Sequence, residues 1–187
     1  MINKQNNENI PWVEKYRPST FDDTVLNHTN RNIFSNIIKY NNFPNILLYG
    51  PPGVGKTTSA INLIYEYQTK YFRPNKETIL HLNASDERGI EMIRNQIYNF
   101  VKSNNMFELG LKFVILDEVD YMTKNAQQAL KNLMQSSCDN VRFCLVCNYI
   151  CRIEASLLNE FVCLRFDKVP SDEVVKFFKQ IISIEEI

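Results

Sequence analysis

Short apolar runs alternate along this chain with longer stretches whose apolar residues recur every three or four positions. Ile46-Leu47-Leu48-Tyr49, Phe113-Val114-Ile115-Leu116 and Val141 to Cys147 are runs of four to seven residues. Runs of that length read as strands buried on both faces. Thr78-Ile79-Leu80-His81-Leu82 and Cys163-Leu164-Arg165-Phe166 read as two more. Helical spacing fills the intervals. Ile33, Phe34, Ile37 and Ile38 predict a helix over 31–40 capped by Asn30. Ile61, Ile64 and Tyr65 follow the first strand. Ile90, Ile93, Ile97 and Val101 predict a helix broken at Ser103-Asn104-Asn105. Ala126, Ala129, Leu130, Leu133 and Met134 predict one capped by Thr123. A short helical segment lies near 154–158, and Ser171 opens a last helix through Val174, Val175, Phe178, Ile181 and Ile182. Strands alternating with amphipathic helices predict an α/β fold: a five-stranded parallel sheet with helices on both faces. His81, within a strand, reads as a packed core histidine. No repeat and no linker divides the chain.

Composition narrows the class. With 187 residues, 44% hydrophobic and 22% charged, the chain is long enough for one domain with a substantial core. No apolar run is long enough to span a bilayer. The first residues, through Asn9, are polar and asparagine-rich, so residues 1–10 read as a disordered lead-in of an intracellular protein. Lys plus Arg is 21 and Asp plus Glu is 21, a net charge of zero. That is no general nucleic-acid signature, and any DNA contact must come from a local basic patch. Cys144, Cys147 and Cys151 are spaced closely enough to suggest a metal site. A strand, however, points Cys144 and Cys147 to opposite faces. Cys138, Cys144, Cys147, Cys151 and Cys163 therefore read as small buried thiols in a reducing compartment.

One stretch organises the rest. Gly50-Pro51-Pro52-Gly53-Val54-Gly55-Lys56-Thr57 fits G-x-x-x-x-G-K-[ST], the P-loop pattern. A buried strand precedes it and a helix follows, beginning with Thr58. Glycines adopt the backbone angles that turn the loop's N–H groups onto phosphate oxygens at a helix N-terminus. Lys56 then reaches the outer phosphates, and the Thr57 hydroxyl suits Mg²⁺. Asp117-Glu118 ends the third apolar run, where a parallel strand delivers its C-terminal end to the same crevice. Asp117 can hold Mg²⁺, and Glu118 can polarise a water for attack on the γ-phosphate. Asn148, just past the fourth strand, can touch both γ-phosphate and water, or be a turn asparagine. Pro11-Trp12-Val13-Glu14-Lys15-Tyr16-Arg17-Pro18 has two prolines and reads as extended or turning rather than helical. Val13 and Tyr16 can cover a flat aromatic ligand, and Arg17 can stack or hydrogen-bond. The segment can equally be a strap on the domain surface.

These segments, with Leu82-Asn83-Ala84-Ser85-Asp86-Glu87-Arg88-Gly89 and Arg142-Phe143-Cys144-Leu145-Val146-Cys147-Asn148-Tyr149, resemble a small subunit of replication factor C. That protein is the clamp loader within the AAA+ superfamily of P-loop ATPases, and the resemblance spans about residues 10–170. It implies an AAA+ domain over 11–170 and the truncated start of a helical lid over 171–187. It implies a subunit of a hetero-pentameric ATPase. Such a complex uses ATP and Mg²⁺ to open a sliding clamp and load it on primer–template DNA, independently of sequence and without a membrane. It implies a nuclear protein, or one of a cytoplasmic viral replication site. Val13, Tyr16 and Arg17 match the adenine side, and Pro52, Gly53, Val54, Gly55, Lys56, Thr57 and Thr58 the phosphate and Mg²⁺ loop. Asp117 and Glu118 match the Walker B pair and Asn148 sensor 1. Arg88, Arg94 and Arg152 fall where such subunits face the DNA backbone. Arg88 and Arg94 lie about 120° apart round a helix. Alternatives are a nucleotide-binding structural subunit without turnover and another AAA+ motor, such as a branch-migration helicase.

Three departures from the family pattern stand out. Asn159-Glu160-Phe161 occupies the Ser-Arg-Cys segment, so a glutamate replaces the arginine finger. Lys131, Asn132 and Gln135 occupy central-helix positions that the family gives to two arginines and a glutamate. The lid's sensor 2 arginine and the collar domain lie outside the chain.

Overall fold

The computed structural model describes residues 11, 15–16, 18, 20–21, 24, 26–72, 74–85, 89–103, 110–136, 140–168 and 171–185. Five strands form one parallel sheet: β1 (Ile46–Tyr49), β2 (Ile79–Asn83), β3 (Lys112–Asp117), β4 (Val141–Cys147) and β5 (Val162–Arg165). Their order is β2-β3-β4-β1-β5. The three interior strands, β3, β4 and β1, carry the buried apolar runs because helices cover them on both sides. The helices are α1 (His28–Tyr40), α2 (Lys56–Tyr71), α3 (Gly89–Lys102), α4 (Lys124–Gln135), the short α5 (Ala155–Leu158) and α6 (Ser171–Glu185).

Alternation along each strand divides the core in two. Ile46, Leu48, Phe113, Ile115, Cys144 and Val146 pack beneath Phe34 and Ile37 of α1 and Leu63, Ile64 and Tyr67 of α2. Leu47, Val114, Leu116, Phe143, Leu145 and Cys147 pack beneath Ile97 of α3 and Leu130 of α4. The α/β reading and the opposite placement of Cys144 and Cys147 hold. No described helix is long and apolar enough to cross a membrane.

Local expectations need correction in several places. α1 starts at His28, and its cap is Asn27, whose side chain accepts from Asn30 N at 2.8 Å. Asn30 lies inside the helix, buried, and donates from Nδ2 to Arg165 O at 2.7 Å. It tethers α1 to β5 rather than capping anything. His81 is exposed, because β2 is an edge strand with a neighbour on one side only. Cys151 and Cys163 are exposed, unlike buried Cys144 and Cys147. Cys138 lies outside the described residues. β5 spans 162–165 rather than 163–166, although Phe166 N still donates to Tyr49 O at 2.7 Å. Lys15 N donates to Pro11 O at 3.0 Å, one helical hydrogen bond in a segment expected to be non-helical. Proline supplies only the acceptor there, so its missing N–H is not needed. On α6, Ile181 is buried while Val174, Val175, Phe178 and Ile182 are exposed.

Candidate active site

Strand order builds the site. β4 lies between β1 and β3, so the loop after β1, the end of β3 and the end of β4 open on one edge of the sheet. The loop after β1 leaves the sheet at Gly50, turns at positive φ through Gly53 (76°) and Gly55 (83°), and enters α2 at Lys56. Gly53 and Gly55 have open space where a Cβ would stand, so their requirement is the backbone angle itself. Val54 is buried and anchors the loop, while Pro51, Pro52, Gly53 and Gly55 are exposed. The Ser59 hydroxyl donates to Gly55 O at 2.8 Å and closes the first turn of α2. Thr58 is half-buried beside it.

Lys56 is only 6% exposed. Its ammonium donates to Gly50 O at 2.8 Å, Pro51 O at 2.8 Å and Asn148 Oδ1 at 2.9 Å. Burial holds its pKa below the ordinary lysine range, opposed by Asp117, then Cys147 and Asp120. Three acceptors match the three donors of an ammonium, so the charge is held in place. The Thr57 hydroxyl donates to Asp117 Oδ2 at 2.6 Å, and Asp117 Oδ1 accepts from Glu118 N at 2.9 Å. A hydroxyl and a carboxylate at that separation form a hard-oxygen donor set that fits Mg²⁺. Glu118 sits at φ 55°, in the left-handed region, half-exposed at the head of the turn Val119–Tyr121. That conformation is uncommon for a non-glycine residue and turns the side chain off the strand line.

Two residues not singled out from sequence complete the edge. Asp120 is 5% exposed; one carboxylate oxygen accepts from Asn148 N at 3.4 Å, and the other is buried with no hydrogen-bond partner among the described residues. Gln127 of α4 is 1% exposed. Its Nε2 donates to Met122 O at 3.2 Å and Arg152 O at 3.1 Å, and its Oε1 accepts from Glu154 N at 2.8 Å. It thereby ties the turn after β3 to the turn after β4. The available signal was a polar residue in step with Leu130 and Met134 on an otherwise apolar stripe.

The remaining candidates scatter. Tyr16 is buried, and its hydroxyl donates to Glu185 of α6, which Lys15 also pairs with. That bond ties the proline-rich segment to α6. Val13, Arg17 and Arg88 lie outside the described residues. Arg94 is exposed on α3 and Arg152 in the turn Ile150–Arg152, on separate elements. Gln135 Nε2 donates to Glu160 Oε1 at 3.0 Å, so two of the departing positions meet.

The sequence pattern of the ATPase family associated with various cellular activities (AAA) matches residues 46–168, from the first residue of β1 to just past β5. The chain belongs to the AAA family. This AAA domain is 39% identical to human replication factor C subunit 5 over 96% of the chain, which covers 52% of that protein. It is 40% identical to replication factor C small subunit 2 of Pyrobaculum islandicum, over 94% of the chain and 54% of that protein. The chain thus spans about half the length of the curated relatives it matches. A solved RuvB mutant of Thermotoga maritima superposes with a TM-score of 0.72 at 17% identity, over 91% of this chain and 56% of that one. That likeness carries the fold alone. Family membership brings nucleotide binding and ATPase chemistry in general.

Proposed function

We propose that this AAA domain binds and hydrolyses ATP as part of a clamp-loader small subunit, with an ATPase domain over 11–170 and the start of a lid over 171–187. The observation that carries the ATPase reading is the convergence of Lys56 on Asn148 and of Thr57 on Asp117. In this reading the loop N–H groups of 52–58 cradle the phosphates and Lys56 binds their outer oxygens. Thr57 and Asp117 hold Mg²⁺, which when bound neutralises charge on the phosphate oxygens. Glu118 accepts a proton from the attacking water, and Asn148 orients it against the γ-phosphate. Val13, Tyr16 and Arg17 border the adenine. Arg88, Arg94 and Arg152 meet the backbone of primer–template DNA without reading its sequence.

The replication factor C names of the relatives support the wider setting: other loader subunits in a hetero-pentamer, a sliding clamp and a replication site, nuclear in a eukaryote. Glu160 favours one specific version of it. A carboxylate at the finger position repels a neighbour's γ-phosphate, so this chain turns over its own ATP without activating the next site. The test is ATP hydrolysis by the complex that co-purifies with the native protein, with and without primed DNA and clamp. Lys56→Ala should remove part of the stimulated turnover. Glu118→Gln should keep ATP binding and remove the same part. Stimulation untouched by both would make the chain a structural subunit. No response to DNA or clamp would remove the loader reading.

A further inference from the structure

Arg152 stands in the short turn after β4, with its guanidinium carbon 5.0 Å from the ring centroid of Tyr149 and 5.9 Å from that of Tyr121. Both rings are largely open to solvent, 54% and 59% exposed. Arg152 is exposed as well, and among the described residues no carboxylate pairs with it. Two ring faces therefore orient this cation without neutralising it. The N–H edge of a guanidinium remains able to take an anion while its face lies on a ring.

The two rings belong to different turns. Tyr121 closes the turn that Glu118 opens, and its N–H donates to Glu118 O at 3.0 Å. Tyr149 directly follows Asn148, and its carbonyl accepts from Arg152 N at 3.1 Å. One exposed side chain thus joins the segment leaving Glu118 to the segment leaving Asn148. On the buried side the same segments are joined by Gln127 and by Asp120. A force on the guanidinium reaches both groups through three or four residues of tightly turned backbone.

We propose that Tyr121, Tyr149 and Arg152 form a clasp through which a phosphodiester held at Arg152 sets the relative position of Glu118 and Asn148. The tyrosines are positioning residues; neither touches the reacting atoms. The inference rests on the clamp-loader reading, which supplies both the phosphodiester and the ATP. A phosphate on the guanidinium edge fixes the cation against both rings and so stiffens the paired turns.

The test uses the native complex, with primed DNA as probe, and reads the share of turnover that Lys56→Ala removes. Tyr121→Leu with Tyr149→Leu takes away the ring faces and leaves the cation. Tyr121→Phe with Tyr149→Phe keeps the faces and removes only the hydroxyls. For the leucine pair, DNA-stimulated kcat should fall about three- to tenfold, as two exposed cation–π contacts allow. KM for ATP should stay within about twofold and the salt slope of DNA binding should be unchanged, because the cation remains. The phenylalanine pair should respond to DNA as the unaltered complex does. Arg152→Ala should lose stimulation and flatten the salt slope by about one unit. A leucine pair stimulated normally would overturn the clasp and leave the loader reading standing. Equal loss in the leucine and phenylalanine pairs would also overturn it, since the faces would not be the cause. An unaltered complex that ignores primed DNA would overturn the loader reading and the clasp together.

Discussion

A methyl group at Gly50 would lie 2.0 Å from the backbone oxygen of Phe166, where β5 pairs with β1. Gly50 also sits at φ 146°, which disfavours any side chain. The first glycine of the loop is therefore fixed by sheet packing as much as by phosphate chemistry. Gly50→Ala should cost roughly 2–3 kcal/mol of stability by chemical denaturation, and it should weaken nucleotide binding by moving the carbonyl that holds Lys56. Stability within 0.5 kcal/mol of the original, a surface-like effect, would mean that β5 moves aside. The glycine pattern itself was legible from sequence, and so were Lys56, Thr57, Asp117 and Glu118. Asp120 and Gln127 were not, because their importance lies in partners 28 and 25 residues away, at Asn148 and Arg152. Asn30 reads as a cap from sequence for the same reason: its partner, Arg165, is 135 residues distant.

At the scale of the element, α3 ends against a buried cation. Lys112, 2% exposed at the start of β3, donates to Phe100 O at 2.9 Å and also to Ser103 O. Its ammonium lies over the Phe100 ring at 5.3 Å. A cation at a helix C-terminus satisfies carbonyls that have no partner within the helix and complements the helix dipole. Lys112→Met should destabilise the domain by about 2 kcal/mol, the scale of a buried hydrogen bond to a charged group. Hydrogen exchange should speed up selectively in the last turn of α3. Uniform acceleration across the sheet would show that Lys112 acts on the core and not on the helix end. Sequence placed a lysine at the head of an apolar strand; only the chain's return beside α3 made it a cap.

Across the whole molecule, the sheet separates two apolar layers, and two thiols report on them. Cys144 lies in the layer beneath α1 and α2, and Cys147 in the layer beneath α3 and α4. Burial raises both thiol pKa values, that of Cys147 to about 12. Thiolates are the reactive form, so both are inert while folded. Under native conditions an alkylating reagent should label exposed Cys151 well before Cys144 or Cys147. Because the folded pKa values lie above the ordinary thiol range, raising the pH toward 9 ionises these thiols in the unfolded chain first. Stability from this source is therefore full below the ordinary thiol pKa and declines above it. Labelling of Cys144 and Cys147 should follow global unfolding measured by denaturant. Labelling of Cys147 alone, ahead of unfolding, would show that the layer beneath α3 and α4 opens independently.

Sequence by itself determined the α/β alternation, the five strands, the glycine loop with Lys56 and Thr57, and the Asp117-Glu118 pair. These are local signals: apolar runs, helical spacing and a contiguous motif whose chemistry needs its residues adjacent. Tertiary structure decided what depends on distant neighbours. Inserting β4 between β1 and β3 brought Asn148 to Lys56. The edge position of β2 left His81 in solvent, and the meeting of two turns placed Tyr121 and Tyr149 around Arg152. Strand order and turn contacts join residues far apart in the chain, and no window of sequence records such proximity.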